Sequence, residues 1–293
     1  MQLLDSRMAI PEAESRRFQN LKKGIEGEKR FDSLTETIQN GVLLLRDLCL
    51  EYQHSIFQID TLMISEKKIY LFEVKNYEGE YVFENGEFRV LASGQEILNP
   101  LHQLNRSVTL LRSLLNSLGF QIPIQGYLAF VNDQFTLYQA PAEGLILLPS
   151  QLKRFMAHID RTPSILDSRH GKIAERLRER HLPNPPNERL PKYEYIQLRK
   201  GILCRDCRSF MERKGAQLVT CATCETAESA EHSVLRSVGE FVRLFPDKRI
   251  TTGLIQDWCR IIDSRKSIRR VLSRHYKASG GRRYRYYIVE KNR

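Results

Sequence analysis

No stretch of this 293-residue sequence approaches the ~20 consecutive apolar residues that a membrane-spanning helix needs. The opening residues, MQLLDSRMAIPEAESRR, lack the apolar core of a secretion signal. Tryptophan occurs once, and there is no long repeat or low-complexity tract. Cysteine occurs only six times, and four of the six fall in two CxxC pairs. Together these features predict a cytoplasmic protein with no membrane association, in which paired cysteines bind metal rather than form disulfides.

The chain is long for one domain, since a prior of ~150 residues per domain suggests about two with room for a small metal module. Its net charge is +11, and the placement of that charge carries the information. Residues 264–293 hold eleven Lys or Arg against one acid, Glu290, so this segment is +10 and the other 263 residues together are +1. The basic residues alternate with Ile268, Val271, Leu272, Tyr276, Tyr284, Tyr286, Tyr287 and Ile288, which predicts a folded module with a polyanion-binding face.

Apolar spacing predicts a helix over residues 12–40, with a break possible at Gly24 or Gly27. Strand-like stretches follow at 42–52, 55–65 and 68–77, then a hairpin turning at Asn85-Gly86. Residues 99–119 read as a helix with Asn99 as N-cap and Pro100 in its first turn. Strands at 124–132 and 144–149 and helices near 150–159 and 167–181 complete the region. Four prolines in residues 182–191 mark a linker. The predicted organisation is a domain over 1–182, a linker over 183–192, a cysteine module over 193–229 and a basic module over 230–293.

If the 55–77 hairpin turns at Glu66-Lys67, residues whose numbers sum to 133 face one another. Asp60 then meets Glu73 and Gln58 meets Lys75 on one face, with Ile59, Phe72 and Val74 on the other. Two carboxylates and an ammonium on otherwise apolar strands suit a hard divalent cation such as Mg²⁺ or Mn²⁺. Such an ion polarises a phosphodiester and activates bound water. A lysine beside it orients or deprotonates that water, or stabilises developing charge. The same residues would also make a plain salt bridge on an exposed sheet face.

The order Gly27-Glu28, Gln58-Ile59-Asp60, Phe72-Glu73-Val74-Lys75-Asn76-Tyr77 with Gly79, and Asn99-Pro100-x-x-Gln103 resembles the nuclease-related domain family. That family lies within the PD-(D/E)xK restriction-endonuclease-like superfamily, and the resemblance spans about residues 15–150. It implies an α/β fold, a mixed sheet flanked by helices, and metal-dependent cleavage of nucleic acid. By position it implies Asp60 and Glu73 as metal ligands, Lys75 as the catalytic lysine, and Glu28 and Gln103 as further catalytic-site residues. Ile59 stands where the superfamily name places proline. A solvated helix acid at Glu28 and a helix-surface amide at Gln103 are the alternative readings. His54 and His102 stand alone and read as structural or exposed.

Cys204-x2-Cys207 and Cys221-x2-Cys224 are thirteen residues apart, the spacing of a closed four-thiolate structural Zn²⁺ ribbon. A redox dithiol or an iron–sulfur centre is the alternative. Cys49 and Cys259 read as ordinary buried residues. The C-terminal pattern of three helices, a Ser279-Gly280-Gly281 turn and a basic strand resembles a winged helix-turn-helix. Its candidate nucleic-acid contacts are Arg265, Lys266, Arg269, Arg270, Arg274, Arg282, Arg283 and Arg285, with DNA as the expected partner and RNA as an open alternative. The reading that follows is a DNA-cleaving, metal-dependent nuclease delivered by its C-terminal modules. Its rivals are a non-catalytic DNA-binding regulator on a nuclease-like scaffold and an adaptor that binds acidic partners.

Overall fold

A computed structural model describes residues 2–141, 144–183, 191–215, 217–281 and 284–289. Residues 184–190 of the expected 183–192 linker and two of the expected nucleic-acid contacts, Arg282 and Arg283, lie outside the described residues. The chain divides into two compact units: residues 19–189, and residues 1–18 with 190–293. Among the described residues, no helix is long and apolar enough to cross a membrane.

A short helix, α1 (Gln2–Asp5), precedes a long one, α2 (Glu12–Thr35). Gly24 and Gly27 do not break α2, which ends five residues before the expected limit. The first unit then builds a mixed sheet from β1 (Leu43–Tyr52), β2 (Ser55–Ile64) and β3 (Ile69–Lys75). A second sheet begins with β4 (Gly79–Glu84), β5 (Glu87–Val90) and β6 (Glu96–Ile97). Asn85 (φ 52°) and Gly86 (φ 85°) form the two-residue turn between β4 and β5, both in the left-handed region that such a turn requires.

Helix α3 (Pro100–Ser117) starts as expected, with the Asn99 side chain accepting from Leu101 N–H. After it come β7 (Ile124–Phe130), β8 (Phe135–Tyr138), β9 (Ile146–Leu147), α4 (Pro149–Arg161) and α5 (Ser168–Glu179). The main sheet has the order β1-β2-β3-β7-β9, antiparallel through β3 and parallel beyond it. Leu104, Leu111 and Leu115 of α3 and Ile173 and Leu177 of α5 pack with Leu62, Leu71 and Leu128. Phe31 of α2 and Leu152, Met156 and Ile159 of α4 pack with Met63, Tyr70 and Phe72 on the opposite face.

The expected alternation along β2 fails at one place. Ile59 packs with Leu62, Ile64 and Leu71, whereas Phe72 and Val74 belong to the other core. Strand β1 makes the same switch, since Leu45 is followed in that core by Leu48 and Leu50. Both switches fall at Asp47 and Asp60, the facing pair omitted from the β1–β2 ladder, where Asp47 has φ 49°. A residue inserted into each strand at the same point keeps the register and reverses the faces.

The second unit has its own core. The strands β10 (Glu212–Lys214), β11 (Leu218–Thr220) and β12 (Ala227–Ser229) form a small antiparallel sheet. Helices α6 (Ala230–Leu244), α7 (Thr252–Cys259) and α8 (Arg265–His275) follow, then the hairpin β13 (Lys277–Ser279) and β14 (Tyr286–Ile288). Met211, Val219, Cys204 and Cys221 pack with Val234, Phe241, Trp258, Ile268 and Leu272, together with Leu4 from the N-terminal segment. The sequence separates a cysteine module from a basic module at 229, whereas their apolar side chains share one core. Arg7 contributes to it: its buried guanidinium bonds Glu240 at 2.9 Å and lies 4.0 Å from the Trp258 ring centre.

Candidate active site and cysteine cluster

The β2–β3 ladder has the expected register, with Thr61 opposite Phe72 and Ile64 opposite Ile69, and it stops at Thr61. Beyond that point β2 pairs only with β1, and β3 continues beside β7 up to Lys75. The candidate site forms where the two strands part. The Val74 N–H, left without a β2 carbonyl, donates to Asp60 Oδ2 at 2.8 Å. Lys75 Nζ donates to Glu73 Oε1 at 2.7 Å and to Gln103 Oε1, brought in by α3, at 3.2 Å. Gln58 is not opposite Lys75; its Nε2 donates to Asp47 Oδ1 at 2.9 Å.

Helix α2 delivers Glu28 into the field of Asp60, Asp47 and Glu73. Its approach depends on Gly27, where a Cβ would come within 2.6 Å of Asn76 Cβ. Asn76 holds the same contact by donating from Nδ2 to the Lys23 carbonyl at 2.7 Å. Asp60, Glu73, Lys75, Gln103 and Glu28 therefore assemble in one place. His54 is fully exposed, and neither it nor His102 makes a contact there.

An exposed salt bridge does not describe this arrangement, because Glu73 is 1 % exposed. Its Oε2 is buried with no hydrogen-bond partner among the described residues, an arrangement that is costly for a carboxylate unless something positive meets it. Burial, and then the Asp60 charge, push Glu73 up to about 7 against the pull of Lys75. Burial followed by Asp60 and Asp47 likewise pushes Glu28 up to about 7. Asp60 is also raised, chiefly by burial, with the Val74 hydrogen bond and Lys75 opposing. Burial works against the Lys75 ammonium, but Glu73 outweighs it and holds the lysine protonated.

The orphaned Glu73 oxygen and the excess of acids fit a divalent cation. Asp60 and Glu73 are the residues that would hold it, with water completing the shell. The acids do not close into a cage: among the described residues, only the four cysteines bring three or more ligand atoms within 4.8 Å of one another. Asp47 escaped the sequence reading. The signal was present, since a β1–β2 turn at Gln53-His54 pairs residues summing to 107 and sets Asp47 opposite Asp60.

Cys204, Cys207, Cys221 and Cys224 converge, with Sγ–Sγ distances of 3.6 Å for Cys204–Cys224 and 3.3 Å for Cys207–Cys221. A tetrahedral ion with ~2.3 Å bonds to sulfur would set its ligands about 3.8 Å apart, so the cluster could hold one metal ion. Thr226 bonds Cys224 Sγ at 3.2 Å and pulls that thiol down to about 6. Cys49 and Cys259 are buried apart from this cluster.

On α8, Ile268, Val271 and Leu272 are buried, as the spacing predicts, and Arg265, Lys266, Arg269 and Arg270 are exposed. Arg274 is also exposed, but both oxygens of Glu231 hold it, at 2.9 and 3.0 Å. Arg285 is half-buried.

No curated protein and no solved structure matches the chain. A protein-family model does match, that of the nuclease-related domain, over rather more than a third of the sequence and across every residue of the acid–lysine site. Residues 23–131 of this chain are a nuclease-related domain.

Proposed function

We propose that the chain is a metal-dependent phosphodiesterase that hydrolyses DNA. The observation that carries this reading is the buried Glu73 carboxylate, one oxygen on Lys75 and the other without a partner, beside a second buried acid, Asp60. Mg²⁺ or Mn²⁺ bound there would supply Lewis-acid polarisation of the phosphodiester and a more acidic water. Asp60 and Glu73 would hold the ion. Lys75, kept protonated by Glu73, donates hydrogen bonds to the developing phosphorane charge instead of removing a proton. Gln103 fixes the direction of its Nζ. Glu28, raised to about 7, is tuned to accept a proton from the attacking water near neutral pH.

Delivery falls to the second unit. Zinc in the four-cysteine site has a structural role, since four thiolates leave no open position. The three helices and terminal hairpin form a winged-helix-like module, supported by the bridge between Ile250 and Tyr287 that ties the β14 strand to the segment before α7. Arg265, Lys266, Arg269 and Arg270 present an exposed basic face of α8 to phosphate.

The test is cleavage of supercoiled and linear DNA with Mg²⁺ or Mn²⁺, comparing wild type with Glu73→Ala and Lys75→Ala. Cleavage that disappears in both variants while DNA binding persists supports the proposal. Strong binding with no cleavage under either metal overturns it in favour of a non-catalytic DNA-binding regulator.

A further inference from the structure

Asp47 stands directly across from Asp60, between the pairs Arg46–Thr61 and Leu48–Ile59. Three features of this position call for an explanation. Asp47 adopts φ 49° inside a strand, a left-handed conformation that interrupts the regular ladder. It faces a like charge across an antiparallel pair, which is destabilising in itself. Among the described residues no lysine or arginine pairs with Asp47, Asp60 or Glu28; the adjacent Arg46 turns instead to Asp32 and Glu36.

What Asp47 does have is an anchor. Gln58 Nε2 holds Oδ1 at 2.9 Å, which fixes the carboxylate and leaves Oδ2 for another partner. Asp47 faces Asp60 across the strand pair, between two ladder rungs, so the two carboxylates share one place in the sheet. Glu73, almost wholly buried, adds an oxygen with no hydrogen-bond partner among the described residues. The site thus carries four carboxylates and one ammonium, Lys75, which among the described residues is hydrogen-bonded to Glu73 alone of the four.

We infer that Asp47 is a fourth acid of the divalent-cation site, oriented by Gln58 and acting through its charge and the water shell of the ion. Its exposure suits that role, since hard divalent ions keep several waters whose protons point toward outer carboxylates. The paired reversal of β1 and β2 is the backbone device that sets Asp47 and Asp60 together at the mouth of the site. This inference rests on reading the acid cluster as a cation site.

Mn²⁺ titration of the full-length protein, with its cysteine site first loaded with zinc, tests it through the resonance signal of free Mn²⁺. The comparison is wild type against Glu73→Gln, Asp47→Asn and Asp47→Gly. Asparagine and glycine both accept φ 49° readily, so both variants keep the backbone; asparagine loses the charge, and glycine loses the side chain and its Gln58 bond as well. The expected result is tight binding by wild type, loss in Glu73→Gln, and affinity weakened roughly 10- to 100-fold in both Asp47 variants, with thermal unfolding of metal-free Asp47→Asn no lower than that of wild type. Wild-type affinity in Asp47→Asn and Asp47→Gly, with Glu73→Gln still defective, overturns the role of Asp47 and leaves the cation site standing. Wild-type protein that shows no Glu73-dependent binding overturns both.

Discussion

The Asp60 carboxylate receives the Val74 backbone N–H at 2.8 Å, where the next rung of the β2–β3 ladder would have been. One side chain therefore ends a sheet pairing and supplies an acid to the site. The two roles separate by substitution. Asp60→Asn keeps an acceptor for Val74 and should fold normally while losing cleavage by on the order of 10²-fold or more. Asp60→Ala leaves the N–H unsatisfied as well, so its thermal unfolding should fall by about 1–3 kcal/mol.

The raised acids predict an inverted pH dependence for the metal-free protein. Glu28 and Glu73 titrate near 7 in the folded state, above their unfolded values, so the folded state binds more protons between about 4.5 and 7. Their contribution to stability is therefore lost as pH rises through that window. Thermal unfolding without divalent ions should occur at lower temperature at pH 8 than at pH 5.5, and Glu73→Gln should flatten the difference. Mn²⁺ affinity should rise over the same interval, because the ligands must be ionised. A metal-free protein that becomes more stable across this range through these groups would contradict the assignment.

Two glycines of α2 should respond in opposite directions to alanine. A Cβ on Gly24 meets nothing within 4 Å, so Gly24→Ala should stabilise by up to about 1 kcal/mol through helix propensity. A Cβ on Gly27 meets Asn76 at 2.6 Å, so Gly27→Ala should push Glu28 away from Asp60 and cost about 1–3 kcal/mol. Paired unfolding and cleavage measurements on the two variants check the contrast.

Removal of metal from the cysteine cluster should damage more than the cluster. Cys204 and Cys221 are buried in the same core as Val234, Phe241 and Trp258. Chelation, or Cys221→Ser, should release about one zinc per chain by metal analysis and lower the unfolding transition that carries the Trp258 fluorescence change.

The arginines of α8 should differ in what they contribute to DNA binding. Arg269→Ala and Arg270→Ala should each flatten the log–log salt dependence of binding by about 0.9, the loss of one phosphate contact. Arg274→Ala should change it less, because Glu231 already holds that guanidinium. Equal slopes for all three variants would argue against the proposed face.

Much of this was written locally. The alternation of apolar residues set the strands, Asn99 and Ser264 set helix starts, and the Glu66-Lys67 turn set the register that carries Asp60 toward Glu73. The CxxC spacing was enough to place four thiols together, because a knuckle is a local structure. The approach of α2 and α3 was different: Glu28 comes under the charge of Asp60 and Glu73, and Gln103 reaches Lys75, only because the sheet gives the two helices opposite faces to pack on. The paired reversal at Asp47 and Asp60 was also settled by tertiary structure, since an inserted residue in each strand leaves the register unchanged and no trace in the pairing sum. Burial made the final difference, turning a common Glu-x-Lys into a desolvated carboxylate with one oxygen unpartnered.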